Sequence, residues 1–302
     1  MSSSSVLFDA PGPRSKRLYA AVGVASVILL LLALWFVYSK LDEKGQLTAA
    51  KWKPFLTGVV WTEYIIPGLI GTLTAAAISV VFALTLGTLL GVGRLSATAW
   101  IRIPCGVVVE FFRAVPVLMM MLFSYALYGY YEWFPSDRLA LAAVVTGLTL
   151  YNGSVVAELV RSGVYSLPKG QNEAALAIGL TSGKTMRLVL LPQAITAMLP
   201  AIVGQLVVIL KDTALGYIIT YEELLRKAEQ IATYASNLLP ALIVIGAIYV
   251  IVNYFLGLLA VKVEQRTRRR GRSAGGPIAP DQLDQAAVAT AAAAANPGQG
   301  AV

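Results

Sequence analysis

The chain has 302 residues, of which 57% are hydrophobic and 13% are charged, and its mean hydropathy is +0.71. A soluble domain is about 45–50% apolar and about 25% charged, so most of this protein must have lipid as its solvent. The net charge is +8, and the basic residues lie at the edges of apolar stretches. This placement indicates a role in orienting the chain in a membrane rather than in binding nucleic acid. The chain has no histidine and a single cysteine, Cys105. These counts exclude a zinc site, a Cys/His nucleophile pair and an intramolecular disulfide. We expect no metal, no cofactor and no catalytic residue, and a packing role for Cys105.

Apolar stretches alternate with polar segments along the chain. Residues 1–17 are rich in serine and then basic, and they are predicted to form a cytoplasmic N-terminal segment. A helix that spans a bilayer needs roughly 20 apolar residues. Stretches of about that length follow at residues 18–38, 65–92, 103–130, 139–160, 194–210 and 238–261. The sequence therefore predicts an all-α, polytopic membrane protein with about six transmembrane helices.

Two of these spans are unusual. The first, at 18–38, is long for the apolar region of a signal peptide and is followed by no small-residue cleavage site, so we expect a retained anchor helix. The fifth, at 194–210, is near the lower length limit and contains Pro200 and Gly204. Those two residues predict a kinked or broken helix, which is tolerated in a membrane where it lines a cavity.

The basic residues predict the orientation of the spans, because cytoplasmic loops carry an excess of Lys and Arg. With the N-terminus inside, the basic residues near 94–102 and 161–187 are also inside, and so is the C-terminal run 262–272. The segments 39–64, 131–138 and 211–237 are then outside, where lysines are mixed with acids. Both termini are therefore expected in the cytoplasm.

The last residues differ from the rest of the chain. Residues 271–302 are rich in Ala, Gly, Pro and Gln, a composition that cannot bury a core, so we predict a disordered cytoplasmic tail. We find no internal repeat, and a secondary transporter built from inverted repeats therefore gains no support.

The most informative stretch is the polar, basic loop 166–195 between the fourth and fifth spans. Glu173 lies early in a predicted helix, the small side chains of Ala174 and Ala175 allow close approach of a partner, and Gly179 can adopt positive φ and end that helix. A plain connector is normally a few residues long, whereas this one keeps helix signals over about 30 residues. We predict that the loop docks onto a cytoplasmic partner through those four residues.

The rest of the loop predicts a helix-turn-helix stub. Pro168 suits the first turn of the first helix, and Thr181 or Ser182 can cap a second helix over 184–190. Pro192 is then expected to reset the chain into the fifth span.

One motif in the loop imitates a nucleotide site. The run from Gly179 to Thr185 looks like a phosphate loop, but that motif needs four residues between its glycine and its Gly-Lys pair, and here there are three. Ile178 stands where the glycine should be, and no strand pattern precedes it. Any ATPase must therefore be a separate polypeptide.

Charged residues inside spans are costly and are usually functional or paired. Glu110 and Arg113 are three residues apart in the third span, so either they neutralise each other or Arg113 lines a path and attracts a carboxylate. Pro116 weakens the helix just beyond them. Glu158 and Arg161 repeat the spacing, and we expect them to pair near the inner interface.

A polar triplet follows the fifth span. Lys211, Asp212 and Thr213 offer a cation for a carboxylate, an anion for an ammonium and a hydroxyl, which together would suit an α-amino acid. The alternative is that Lys211 only reaches to the outer membrane interface. The sequence leaves both alternatives open.

These motifs resemble a known family. The loop, with Glu173-Ala-Ala, Gly179, Val189 and Leu191-Pro192, resembles the EAA loop of ABC-importer permeases, with valine where that family prefers isoleucine. Residues 65–262 resemble permeases of polar amino-acid ABC importers, of the histidine, glutamine and glutamate type and most of all those for glutamate uptake. Further marks are Gly71-Thr-Leu, Phe112-Arg-Ala-Val-Pro-Val-Leu, Ala157-Glu-Leu-Val-Arg-Ser-Gly and Leu210-Lys-Asp-Thr-Ala-Leu. The family usually has Gly-Thr where this chain has Ala114-Val115, and the helix at 18–38 is an addition to a five-helix core.

The resemblance implies a non-catalytic permease subunit that forms a translocation pathway and couples to ATP hydrolysis in a partner. The implied partners are a pair of cytoplasmic ATP-binding subunits, an external solute-binding protein and a second permease chain, for which we favour a paralogue over a second copy. The implied location is the bacterial cytoplasmic membrane. A stand-alone secondary transporter would need no docking loop, and a non-transporting scaffold would need no charges inside its spans.

Overall fold

A computed structural model describes residues 12–272 of the chain. The predicted tail, from 273 onward, and residues 1–11 of the N-terminal segment lie outside that range. Within it the regular elements are all helical. The α-helices are α1 (Pro13–Glu43), α2 (Ala49–Trp52), α3 (Gly58–Val60), α4 (Ile66–Arg94), α5 (Ala99–Ala114), α6 (Val117–Tyr130), α7 (Ser136–Tyr165), α8 (Lys169–Ala177), α9 (Ser182–Thr185), α10 (Leu191–Asp212), α11 (Leu224–Ala235) and α12 (Leu238–Arg272).

The expected number of membrane crossings is confirmed over the residues described. Five helical runs are long and apolar enough to cross a bilayer, and α5 with α6 makes a sixth if the two are one bent span. They meet at 100°. The bend falls at Val115 and Pro116, which are extended, because proline lacks a backbone N–H and disfavours the helical conformation of the residue before it.

The fifth span was predicted to be kinked or broken, and the break does not occur. It is not broken at Pro200 or Gly204: α10 runs through both residues. Proline in a membrane helix costs one backbone hydrogen bond, which need not end the helix. Pro192 does not reset the chain either, since α9, a π-helical turn at Met186–Leu190 and α10 form part of one helical run over Ser182–Ile219.

Backbone contacts divide the chain into two units. The first contains the residues up to Gly71 together with Glu222–Ile248. In it α11 buries Leu224, Ala228 and Ile231, and the Glu223 carboxylate caps that helix by accepting from two backbone N–H groups at 2.7 and 2.8 Å. The α1 helix has no buried residue, which fits an anchor separate from the core.

The second unit contains Thr72–Tyr221 and the chain from Tyr249 onward. Its core is an apolar cluster to which α4, α6, α7 and α10 contribute, with Met121, Val144, Leu148 and Ile209 at most 1% exposed. All of the candidate site residues lie in this unit, on or next to its helices.

Candidate functional site

The first helix of the 166–195 loop is α8, and glycine ends it as predicted. Pro168 stands immediately before α8, and Gly179 has φ +84°. The Gly179 N–H donates to the Leu176 carbonyl at 3.0 Å and the Leu180 N–H donates to the Ala175 carbonyl at 3.1 Å, which is the Schellman arrangement of a helix C-terminus. The second helix begins at Ser182, so the predicted helix-turn-helix is present.

The four candidate docking residues do not share one environment. Glu173, Ala174 and Gly179 are exposed, whereas Ala175 is only 4% exposed and packs inside the chain. Ile178 is 79% exposed although its side chain is large and apolar. It lies beside Gly179 and adds apolar contact area to the exposed end of α8.

The loop is tied to the fifth span. The Gln193 amide donates from Nε2 to Gln171 Oε1 on α8 at 3.2 Å and to the Val189 carbonyl at 3.0 Å. The helical run from Ser182 leads directly into α10, so α8 is connected both by a hydrogen bond and along the chain to a membrane-crossing helix. Neither glutamine stood out in the sequence, since a long-range amide contact leaves no local pattern.

A cavity of about 1060 Å³ opens beside the loop. Four basic residues and one acid are among those that line it: Arg94, Arg102, Lys169, Arg187 and Glu173. Apolar side chains, among them Leu176 and Met186, line it as well. This surface combines positive charge with apolar contact area next to the candidate docking helix.

One carboxylate joins arginines from three helices. Glu158 on α7 lies 2.8 Å from Arg94 of α4, 3.5 Å from Arg113 of α5 and 2.5 Å from Arg161 of its own helix. The expected Glu158–Arg161 pair is thus confirmed. Glu110 lies 3.9 Å from Arg113, but it accepts a hydrogen bond from Arg94 at 2.8 Å. The bridging role of Arg94 was missed because it lies at a helix end, where a basic residue needs no further explanation.

The polar triplet after the fifth span is at the far end of α10. Thr213 is fully buried, and its hydroxyl donates to the Leu210 carbonyl at 2.7 Å. Lys211 is exposed and Asp212 is half-buried, and among the side chains that the structure describes up to residue 262 neither forms an ion pair. Lys211 also lines a cavity with residues of α12.

The structure does not bring Arg113 together with Lys211. Between them, the Gln205 amide of α10 donates to Asn152 Oδ1 of α7 at 2.5 Å, and Asn152 is fully buried. Lys211 lies six residues after Gln205, toward the end of α10. Glu158, the partner of Arg113, lies six residues after Asn152 on α7, which runs in the opposite direction. At about 1.5 Å per residue the two groups are roughly 18 Å apart along the helices. The amide pair between them is a polar contact inside the membrane that sequence reasoning missed.

Within residues 12–272 the fold is that of a polytopic helical membrane protein with an exposed helical loop between two of its spans. A family model described as the binding-protein-dependent transport system inner membrane component matches residues 83–269, and the chain belongs to that family. It is therefore a helical, multi-pass permease subunit of an ABC importer and is not itself the ATPase, which is a separate subunit.

Individual relatives agree with this assignment. The chain is 50% identical over 247 residues to the glutamate transport system permease protein GluD of Corynebacterium glutamicum, covering 81% of this chain and 90% of that protein. It is 29% identical over 209 residues to the glutamate/aspartate import permease protein GltK of Escherichia coli, covering 68% and 93%. It also matches the crystal structure of an amino acid ABC transporter with histidines, with a TM-score of 0.63 and 30% identity, over 70% of this chain and 98% of that one. Membership of the family implies a location in the plasma membrane and partners of three kinds: an ATPase, a substrate-binding protein and a second permease.

Proposed function

We propose that this chain is a permease subunit for glutamate import. The observation that carries the substrate is the 50% identity to GluD over 81% of the chain. The proposed assembly contains a pair of cytoplasmic ATP-binding subunits, an external solute-binding protein and a second permease, which we expect to be a paralogue. Both termini are proposed to lie in the cytoplasm of a bacterial cell.

We assign coupling to the loop 166–195 within a permease core at 65–262. The ATPase would bind the exposed side of α8, with Glu173, Ala174 and Gly179 at the surface and Ala175 supporting it from inside. The Gln171–Gln193 hydrogen bond and the helical run into α10 support this assignment, because they offer a mechanical link from the docking surface to the membrane. Closure of the ATPase dimer on ATP would then move α10 and with it the pathway.

The proposed pathway has an inner and an outer polar group. At the inner group Arg113 shares Glu158 and Glu110 with Arg94, so its charge is already compensated in this state. A carboxylate substrate would have to compete with those acids. At the outer group Lys211, Asp212 and Thr213 are the proposed substrate residues. Lys211 and Asp212 are accessible for contact in this state, whereas Thr213 is fully buried and would meet the substrate only after the end of α10 moves.

The substrate is tested by reconstitution. The purified complex of both permeases and the ATPase, in liposomes with the binding protein outside, should accumulate radiolabelled L-glutamate only when ATP is inside. Excess unlabelled glutamate should abolish the signal, and glutamine should reduce it much less. ATP-driven uptake of glutamine with no uptake of glutamate would reject the substrate while keeping the transporter class.

The loop is tested at Gly179, where a matched pair of substitutions separates charge from backbone strain. A Cβ at Gly179 meets no atom within 4 Å, and Asp and Asn both tolerate positive φ, so neither Gly179→Asp nor Gly179→Asn should unfold the chain. The charged variant should lose co-purification of the ATPase and nearly all uptake, because a carboxylate must be desolvated at the contact. The neutral Asn variant should keep a substantial part of both. Full ATPase recovery with Gly179→Asp would exclude this end of α8 as the docking surface.

A further inference from the structure

The cavity beside the 166–195 loop extends from the end of a membrane-crossing helix toward the inside of the bilayer. It has a volume of about 1060 Å³, and its lining includes Thr88 and Leu89 of α4 as well as Arg94, the last residue of that helix. At about 1.5 Å per residue, Thr88 lies roughly 9 Å from Arg94 along the helix. The interfacial layer on each side of the hydrocarbon core is about 5–8 Å thick, so with Arg94 at the membrane surface the cavity reaches from headgroup depth to the first part of the acyl chains.

The deep end of the cavity is apolar and open. Leu89 is 67% exposed, and Val92 and Leu95 are half-buried. On a helix that crosses a membrane, an exposed leucine at this depth faces lipid. The loop of a soluble partner would have to enter hydrocarbon to reach this wall, which its backbone polar groups disfavour, whereas an acyl chain fits it.

The shallow end of the cavity carries positive charge that the chain does not compensate. Arg94 pairs with two glutamates at 2.8 Å. Three further basic residues of the lining are exposed and form no ion pair with any described side chain: Arg102, Lys169 and Arg187. The one acid of the lining is Glu173. Three cations against one carboxylate leave an excess of positive charge, which a phosphate group complements.

Arg102 is the best placed of the three to bind a phosphate at the membrane surface. It lies on α5 two residues after Trp100, whose side chain is 90% exposed, and an exposed tryptophan at the start of such a helix is typical of the headgroup level. Its guanidinium has five N–H donors and makes one long contact among the described residues, 3.5 Å from Nη1 to the Ser96 carbonyl. The planar group can therefore bind two phosphate oxygens side by side.

We infer that this cavity binds an anionic phospholipid. Arg102, Lys169 and Arg187 hold its phosphate, and one acyl chain lies against Leu89 and Val92. Basic pockets between membrane helices bind the headgroups of anionic lipids in this way. Because Arg102 belongs to α5 and the other two cations belong to the loop, the bound lipid joins the loop to the membrane-embedded helices. The inference depends neither on the proposed substrate nor on which face of α8 the ATPase binds.

The test is equilibrium binding of radiolabelled dioleoylphosphatidylglycerol to the purified complex of both permeases and the ATPase, in a neutral detergent at physiological ionic strength. Unlabelled phosphatidylglycerol should displace the label at a much lower concentration than phosphatidylcholine with the same acyl chains. The combined change Arg102→Gln, Lys169→Gln and Arg187→Gln should weaken binding about a hundredfold, since each basic residue near an anionic lipid contributes roughly fivefold.

A matched variant separates this site from the general attraction between a basic protein and an anionic lipid. The combined change Lys16→Gln, Arg17→Gln and Lys184→Gln removes the same number of charges from exposed positions that do not line the cavity. It should change binding by less than about twofold, because exposed charges farther away than the screening length contribute little. Co-purification of the ATPase checks the assembly of each variant.

The apolar wall is tested separately from the charges. Leu89→Ala shortens an exposed side chain and should leave the fold intact. It should weaken binding of phosphatidylglycerol about threefold to tenfold, because apolar contact with the acyl chain is lost. Inorganic phosphate, which has no acyl chain, should not displace the labelled lipid.

Three results would overturn the inference. Equal loss of binding in the two triple variants would mean that the lipid is attracted without a site. A complex that binds phosphatidylglycerol no better than phosphatidylcholine would mean that the ATPase covers the cavity or that lipid does not enter it. Displacement by inorganic phosphate, or unchanged binding in Leu89→Ala, would assign the three cations to a free anion. Glutamate uptake enters none of these measurements, so a wrong substrate would leave the inference standing.

Discussion

At the residue scale, Glu158 is the group on which most of the inner charge cluster depends. The change Glu158→Gln keeps its size, and among the described side chains it leaves Glu110 as the counter-charge of Arg94 and Arg113 and no acid within ion-pair distance of Arg161. When one partner of a partly buried ion pair is removed, the remaining charges stay desolvated without a counter-charge, which costs free energy. We expect the free energy of unfolding to fall by about 2 kcal/mol or more, measured as a lower midpoint of thermal unfolding in detergent.

The matched control for Glu158 is the neighbouring acid. The Glu110 side chain is 60% exposed, against 23% for Glu158, and it has one short contact, to Arg94. Glu110→Gln should therefore cost less than about 1 kcal/mol, as exposed ion pairs usually do. Equal losses for the two variants would mean that the cluster is not organised around Glu158.

Local patterns predicted some of these residues and not others. The three-residue spacing of Glu158 and Arg161 places both on one helix face, so their pairing followed from the sequence. The same rule predicted that Glu110 pairs with Arg113. The two lie 3.9 Å apart, but Arg94 from another helix makes the shorter contact with Glu110, at 2.8 Å. Contacts such as Gln205 with Asn152 join residues 53 positions apart and depend on helix packing, which no local pattern encodes.

At the element scale, two glycines on α4 set its distance from α7. A Cβ on Gly87 would lie 2.6 Å from the Gly153 carbonyl oxygen, and one on Gly91 would lie 2.8 Å from the Ala157 carbonyl oxygen. These are small residues four apart at a helix contact, the arrangement that lets membrane helices approach closely. Gly87→Ala or Gly91→Ala should destabilise the protein by about 1–3 kcal/mol, because backbone cannot give way as a flexible side chain can.

A glycine without neighbours provides the comparison for that packing. A Cβ on Gly106 of α5 meets nothing within 4 Å, so Gly106→Ala should be neutral or should stabilise the helix by up to about 1 kcal/mol. Thermal unfolding of the three purified variants in the same detergent measures the difference. If all three alanines behave alike, the close α4–α7 contact is not a determinant of stability.

Elements were predictable where length and composition decide them. The apolar spans and the glycine that ends α8 follow from rules of this kind, and both are present. Of the two prolines predicted to disturb a helix, Pro116 does end one, with Val115 extended before it, whereas α10 continues through Pro200. The α11 helix was not predicted, although its buried residues Leu224, Ala228 and Ile231 recur at helical spacing and Glu223 provides its cap.

At the scale of the whole molecule, the orientation of the chain in the membrane follows from its basic residues. Arg94, Arg102 and the basic residues of the 166–195 loop are predicted to lie on the cytoplasmic side, and Ser136 at the start of α7 should then be outside. The chain has a single cysteine, so a Cys105→Ser background allows one new thiol to report on each loop. Ser136 and Ser182 are both exposed and are exchanged for cysteine with little change in size.

We expect Ser136→Cys to react with a membrane-impermeant maleimide applied to the outside of intact cells. Ser182→Cys should react only after permeabilisation or in inside-out vesicles, because the loop that contains it must meet an ATPase in the cytoplasm. Each variant must retain uptake, so that labelling reports the working topology. The reverse pattern would place the 166–195 loop outside, where no ATPase could reach it, and the coupling proposal would fall together with the predicted orientation.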